Sequence, residues 1–557
     1  MAWLWRAPAG TLRAVQTPLP QEPRGAEWWR GASLYQVYPR SFADSNGDGI
    51  GDLAGITARL PYIASLGVDG VWLSPFFKSP MRDFGYDVSD YRGVDPLFGT
   101  LADFDALVAH AHALGLKVLI DQVWSHTAQE HPWFQESRES RRNPKADWYV
   151  WADAKPDGSP PTNWQSWMGC ATWTWEPRRQ QYYLHNFLPQ MPDLNLHHPE
   201  VQDAILAVGR FWLERGVDGF RLDTANYYCH DRQLRDNPPQ PPDKRGHLPA
   251  AMQQHLFNIC QPETLPFLER VRALCDSFDA RMTVAEIGSQ DNLARMVEYT
   301  RGTDRLHTAY SFLLLGPQPR ADALAAMMAP WQDGEGAAAW PSWALSNHDA
   351  PRVATRWAQG DPARAQQLIV LLACLRGTVF LYQGEELGLP QSELAFCDLQ
   401  DPFGKAHWPR DKGRDGCRTP MPWQAHAPAA GFTTGQPWLP VDAAHRAVAV
   451  DVQEADPGST LLLTRRVLAL RRALPALRLG AFETCHADAN QLVLRRTGGG
   501  AGPDVLAAFN FGPDAATHTL AAEPLAARPA LLLNGAEVRG AQLHLPPGAA
   551  LILPLQT

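Results

Sequence analysis

Four short segments end an apolar run on ionisable side chains: Asp121-Gln-Val-Trp-Ser-His126, Gly219-Phe-Arg-Leu-Asp223, Val284-Ala-Glu286 and Ser346-Asn-His-Asp349. Such endings suit parallel strands whose carboxyl ends converge on one site. Three acids there, with an arginine and two histidines, suit cleavage of a glycosidic bond. Arg221 and Asp223 lie two residues apart, so they share one face of a strand. A guanidinium beside a carboxylate favours its ionised form, and an ionised, positioned aspartate can attack carbon. An ordinary strand-end ion pair would look the same. Glu286 closes a buried-looking run, where desolvation can keep a carboxyl protonated for general acid work. A glutamate at a helix N-terminus is the plain alternative. His126 and His348 can hydrogen-bond sugar hydroxyls as charge develops, or serve structure alone. Asp83-Phe-Gly-Tyr86 offers an acid for hydroxyls and a ring for stacking, and a turn at Gly85 explains it equally. The joint placement of these groups after different strands favours chemistry.

A second constellation is Asp44-Ser-Asn-Gly-Asp-Gly-Ile-Gly-Asp52. Asp44, Asn46, Asp48 and Asp52 alternate oxygen donors with small residues, and the Ile50 carbonyl can complete a shell for a hard cation. The loop is not an EF-hand, because Gly55 stands where the twelfth-position glutamate belongs. It predicts a structural Ca²⁺ or Mg²⁺ away from the chemistry. An Asp/Gly-rich turn without metal is the alternative. No organic cofactor is expected.

These groups need a scaffold. Apolar runs at 34–38, 70–73, 117–121, 220–223, 282–286, 308–314, 342–345 and 378–382 read as eight strands. Helical patterns at 53–66, 101–114 and 201–215 each end at a glycine, a common stop. That alternation predicts an α/β protein, a (β/α)8 TIM barrel. Residues 127–197, rich in Trp, Pro, Asn and Gly, break the rhythm and read as an irregular inserted domain B after strand three. After residue 476 short strands at 491–495, 505–509, 530–533 and 551–554 predict a C-terminal antiparallel β-sandwich. The expected division is an N-terminal arm at 1–27, the barrel at 28–126 and 198–475, domain B at 127–197 and the β-domain at 476–557. The proline-rich stretch 238–242 reads as a flexible lid or loop.

The chain of 557 residues is 45% hydrophobic and 20% charged, with net charge −9. A mildly acidic balance speaks against a nucleic-acid groove. No run reaches the ~20 apolar residues of a membrane span, and the first residues lack the apolar core of a signal peptide. Eight scattered cysteines form no CxxC pair, which predicts a cytoplasmic protein with reduced thiols. Of the 21 tryptophans, the group Trp164, Trp167, Trp173 and Trp175 is expected in a loop near a ligand, where indoles stack on sugar faces.

The four opening segments, in order and spacing, resemble the signature regions of glycoside hydrolase family 13, the α-amylase superfamily. The resemblance runs from about Trp28 into the C-terminal domain. It implies Asp223 as nucleophile, Glu286 as general acid/base and Asp349 as the third acid, which holds the 2- and 3-hydroxyls. It implies Arg221, His126 and His348 as supports of the pocket for the transferred glucosyl unit. Asp83 and Tyr86 would close that pocket, with Arg414 or Arg418 pairing Asp83. The 44–52 loop, Tyr382-Gln-Gly-Glu-Glu386 and Arg418-Thr-Pro-Met-Pro-Trp423 are similar to the oligo-1,6-glucosidase-like branch. There Thr at the position of Thr224 goes with α-1,4 preference. Ser125-His126 departs from the usual Asn-His and puts one hydrogen bond in question. Met191-Pro-Asp-Leu-Asn195 departs from the branch's usual Gln before Pro. The resemblance implies a retaining exo-α-glucosidase acting on short α-glucosides, such as maltose or sucrose, with transglucosylation as a side reaction. The alternative is a glucosyltransferase or isomerase, trehalose-forming or sucrose-using. A catalytically dead binding subunit is disfavoured by the presence of all three acids. Monomer and homodimer both fit.

Overall fold

The computed structural model describes residues 27–332, 339–520 and 528–555. The expected arm at 1–27 falls, but for its last residue, outside them. Among the described residues eight parallel strands form the central sheet: β1 Ser33–Val37, β2 Gly70–Leu73, β3 Lys117–Gln122, β4 Gly219–Leu222, β5 Met282–Ile287, β6 Thr308–Ser311, β7 Ser342–Ala344 and β8 Thr378–Tyr382. Their order is β6-β5-β4-β3-β2-β1-β8-β7. The two end strands meet through a parallel bridge between Ala309 and Pro341 and a 2.6 Å bond between the Thr308 and Ser342 hydroxyls, which closes the barrel. The sixth strand is shorter than the apolar run at 308–314 suggests, because Phe312–Leu315 turns into a 3-10 helix.

Strand parity explains how the barrel sorts its side chains. Leu34, Trp72, Leu119, Val284, Tyr310, Ala344 and Phe380 point inward and form one buried cluster. Their neighbours Tyr35, Val71, Ile120, Ala285, Ala309, Trp343 and Val379 belong to a second cluster beneath the helices. Each fully buried large apolar side chain contributes about 1.5–3 kcal/mol. The helix Pro199–Glu214 shows how the outer layer is built. His198 caps it through the Glu200 amide, Pro199 presets its first turn, and Val201, Ile205, Val208 and Trp212 form its buried stripe. A Cβ on Gly209 would stand 2.9 Å from Leu274 Cδ2 and 3.3 Å from the Trp124 ring, so a larger residue here would push the Leu274 side chain aside.

The same parity carries the polar groups. Arg221 and Asp223 continue the inward row of β4 from Gly219, and Glu286 continues that of β5 from Met282 and Val284. The site is therefore the last inward layer of the barrel.

The segment 127–197 is more ordered than its composition suggests. It holds a helix, Pro132–Glu139, and a three-stranded antiparallel sheet of Trp151–Ala152, Gln181–Leu184 and Trp173–Glu176. Period-based reading misses strands of two to four residues. Near the C-terminus a five-stranded sheet faces a three-stranded one around Val493, Leu506, Leu543, Leu551 and Leu553. Its strand Val505–Asn510 is buried along its length because its other face, Val505, Ala507 and Phe509, packs with the large core.

Candidate active site

One cavity of about 650 Å³ opens at the carboxyl ends of the strands, lined by Asp83, Tyr86, His126, Asp223, Thr224, Glu286, Asp349 and Arg414 among others. These residues come from distant parts of the chain, as the sequence reading expects.

Arg221 organises the floor. Its side chain is fully buried, and its Nη1 donates to Asp121 at 2.7 Å and to Asp223 at 2.6 Å. Its Nη2 contacts Glu286 and donates to the Tyr310 hydroxyl at 3.0 Å. Tyr310 in turn donates to Glu286 at 3.1 Å. One planar guanidinium thus spans three carboxyls. Burial pushes Asp121 up to about 7, against the pull of Arg221 and with the push of Asp223. The surroundings of Glu286 differ from the apolar mouth expected of it: a cation and a phenol touch its carboxyl.

The second acceptor edge of Asp223 meets the Thr224 hydroxyl at 3.2 Å. Thr224 has φ 41° and ψ 47°, a left-handed conformation costly for a β-branched residue. That strain turns its hydroxyl onto Asp223 and into the cavity, the kind of outlier that collects at functional sites. Ser125, the departure from Asn, bonds His126 Nδ1 at 2.9 Å and Thr224 Oγ1 at 3.2 Å. His126 Nε2 meets the Tyr86 carbonyl at 3.0 Å.

His348 is clamped between Gln36 and Tyr86. Gln36 Nε2 lies 2.8 Å from Nδ1, and the Tyr86 hydroxyl 2.6 Å from Nε2. An amide donor at Nδ1 leaves the proton on Nε2. The Tyr86 hydroxyl then donates to Asp121 Oδ2 at 3.0 Å, and its ring stacks on His348 at 5.3 Å. Burial pushes His348 down to about 3, so the ring is neutral at working pH. Burial works against ionised Asp349, but the charges of His348, protonated only in the acid range where this carboxyl titrates, and of Arg418 and Arg414 outweigh it and hold the carboxyl well below the usual range.

Of the two arginines left open by the sequence, Arg414 is the partner of Asp83, although its Nη1 also lies 3.5 Å from Asp349. Arg414 Nη2 donates to Asp83 at 2.5 Å. Arg418 Nη2 donates to Asp349 at 2.9 Å, and its Nε to the His348 carbonyl at 2.7 Å. Arg414 is itself held by Asp401, which accepts from its amide, Nε and Nη2 at 2.7, 3.1 and 2.7 Å. Sequence reasoning missed Asp401. Asp401-Pro402 signals a helix N-cap, and Asp401 does cap Pro402–His407, but nothing local announces its arginine partner. Tyr310 and Gln36 were missed too, although both continue inward rows of their strands.

Of the four tryptophans expected near a ligand, only Trp167 lines the cavity. Trp164 and Trp173 are buried in a small core with Val150 and Leu184. Trp175 stands exposed against Tyr182. The proline-rich stretch is no loose lid: Asn163 exchanges bonds with Asn237, Pro239 pairs with Gln253, and Gln240 and Gln253 line the cavity.

The 44–52 loop lies apart from this cavity. Asp44 accepts from the amides of Asn46, Gly47 and Gly49, Asn46 from that of Asp48, and Asp48 from that of Ile50. Gly49 sits at φ 91°, and a Cβ there would collide with the Gln436 carbonyl. Asp52 faces elsewhere. It caps the helix Leu53–Ser65 through the Gly55 amide and binds Ser45. Among the described residues, no three His, Cys, Asp or Glu side chains converge as metal ligands.

With this geometry in hand, the comparisons are consistent. The Alpha amylase, catalytic domain, family matches residues 36–480. A probable alpha-glucosidase of Rhizobium meliloti (strain 1021) is 55% identical over 509 residues, covering 89% of this chain and 91% of the relative. An oligo-1,6-glucosidase of Heyndrickxia coagulans is 36% identical, covering 83% and 88%. A solved α-glucosyl transfer enzyme superposes with TM-score 0.89 at 54% identity, covering 95% of this chain and 99% of that one. The chain belongs to the α-amylase family, glycoside hydrolase family 13. It is a glycosidase-type enzyme with α-glucosidase and oligo-1,6-glucosidase relatives.

Proposed function

We propose that the protein is a retaining exo-α-glucosidase that releases glucose from the non-reducing end of short α-glucosides, with α-1,4 linkages preferred. The observation that carries the reading is the single guanidinium of Arg221 spanning Asp223 and Glu286 at the floor of a cavity of about 650 Å³, wide enough for a hexose and its aglycone. Carboxyls bridged by one guanidinium are close-set, as double displacement needs and inversion does not. Asp223 attacks the anomeric carbon, its Oδ1 oriented by Arg221 and its Oδ2 by Thr224. Glu286 gives its proton to the departing glycosidic oxygen. It then takes one from water, which attacks the glucosyl-enzyme and restores Asp223. Ionised Asp349 accepts from sugar hydroxyls, with His126 and His348 beside it. The Asp83–Arg414 pair closes one end of the pocket, which supports exo action on a terminal glucose.

Transfer is the second reading. It is favoured by the 54% identity to an α-glucosyl transfer enzyme, because an acceptor hydroxyl in place of water needs the same two acids. Product analysis on maltose and sucrose separates the two. Free glucose as the main product supports hydrolysis, and a dominant glucosylated acceptor or isomerised disaccharide would replace that reading.

A hard cation, Ca²⁺ or Mg²⁺, is proposed at the 44–52 loop. Asp44, Asn46, Asp48 and the Ile50 carbonyl would hold it, and Asp52 would join only on leaving its helix cap. The close wrap of alternate oxygens supports this, and such an ion would brace the loop without entering the chemistry. A melting temperature unchanged by chelator and by added Ca²⁺ or Mg²⁺ would remove it. Among the described residues no helix is long and apolar enough to cross a membrane. The buried thiols Cys229, Cys275, Cys374 and Cys417 support a reducing, cytoplasmic setting. A monomer or homodimer is proposed.

A further inference from the structure

Trp167 stands apart from the other tryptophans of its group. It lines the cavity and yet is 38% exposed. Its position is built from three loops. It sits at the tip of a tight turn in which Ser166 binds the Phe187 carbonyl at 2.8 Å and the Met168 amide at 3.0 Å. Gly169, at φ 84°, closes the turn, and a Cβ there would come within 2.5 Å of His407 Nε2. The turn is thus wedged against the helix Pro402–His407. On its other side the Trp167 ring stacks on His255, with centroids 5.3 Å apart and planes 26° from parallel. His255 cannot swing away, since Nε2 meets the Ala250 carbonyl at 2.9 Å and Nδ1 meets Asn258 at 3.1 Å.

One face of the indole is therefore occupied, while the exposed remainder borders the cavity. A rigid, half-covered aromatic plate at a cavity wall is suited to stacking on a flat ring. Trp167 lines the same cavity as Asp223 and Glu286 but takes no part in the carboxylate network around Arg221.

We propose that Trp167, braced by His255, is a specificity-determining residue that stacks on the ring of the leaving group and favours cyclic aglycones, pyranose or aryl, over ringless ones. This rests on the α-glucosidase reading. Steady-state kinetics of the full-length enzyme on maltose, an aryl α-glucoside and α-glucosyl fluoride test it, because fluoride leaves without a ring. In Trp167→Ala, kcat/KM on the two ring-bearing substrates is expected to fall ~10-fold, mostly through KM, as suits one lost stacking surface. The loss on α-glucosyl fluoride should be smaller by that factor. Trp167→Phe should recover most of the loss, and His255→Ala should reproduce its pattern at smaller size. Equal losses on all three substrates would overturn the proposal and leave a purely structural tryptophan. So would an unchanged KM on both ring-bearing substrates. Failure of the unaltered enzyme to turn over any of the three would instead sink the α-glucosidase reading, and the stacking role with it.

Discussion

The floor and the mouth of the cavity are made differently. The floor is one layer of a barrel. Arg221, Asp223 and Glu286 point inward because strand parity leaves them no other direction, and ion pairs to the fully buried Arg221 guanidinium lock them. The mouth is assembled from loops. Trp167, His255 and the Asn163–Asn237 exchange come from separate insertions and are held by amide bonds and one ring stack. A buried charge that loses its partner is costly, by about 3–5 kcal/mol, whereas a lost amide hydrogen bond or ring contact costs about 1 kcal/mol. The floor is thus intolerant of change and the mouth can vary. One scaffold can then keep its chemistry while altering what it accepts.

Three experiments bear on that contrast, and the largest effect lies in the floor. Asp223→Asn should lower kcat/KM on an aryl α-glucoside by about 10⁴-fold or more while the far-ultraviolet circular dichroism is unchanged. Near-normal turnover would remove the nucleophile as assigned. A smaller effect is expected where floor and mouth join. Arg414→Lys keeps the charge but loses the fork that reaches Asp83 and Asp401 together. A loss of roughly 10–100-fold in kcat/KM is expected, and a loss below twofold would place the Asp83–Arg414 pair outside the working site. The smallest concerns stability away from the cavity. Burial pushes Glu385 up to about 8, with Glu386 adding to the shift and Arg352 and Arg356 opposing it. The folded state then holds a proton that the unfolded chain releases near pH 4.3, so this group's stabilising share is full below that pH and is lost as pH rises towards 8. Glu385→Gln should flatten the fall in melting temperature between pH 5 and pH 8. An unaltered slope would show that this carboxyl does not titrate in that window.

Much of the floor was legible in the linear sequence because it depends on local periodicity. An inward row of alternate residues, ending in a charge, can be read one strand at a time, and eight such rows imply a barrel. The four signature segments, the helix stops at Gly67, Gly115 and Gly216, and the run of C-terminal strands all follow from spacing. The short strands at 151–152 and 173–176 escaped, since two or four residues establish no period and their pairing with 181–184 supplies the order. Ala516–Thr519 and Glu537–Arg539 escaped in the same way.

Partner choice was not legible. Arg414 and Arg418 sit four residues apart in one motif and both reach Asp349, yet only Arg414 pairs with Asp83. Asp401 reads as a helix cap and serves also as the anchor of Arg414. Asp52 reads as a metal ligand and is turned instead onto its own helix. Trp164 and Trp173 look like Trp167 in composition, but only the turn at Ser166–Gly169 carries its indole to the cavity. Which residues face inward and which loops carry charge can be read along the chain, because those properties arise within a few residues. Which of them meet depends on the closed barrel, because each meeting joins loops that become neighbours only there.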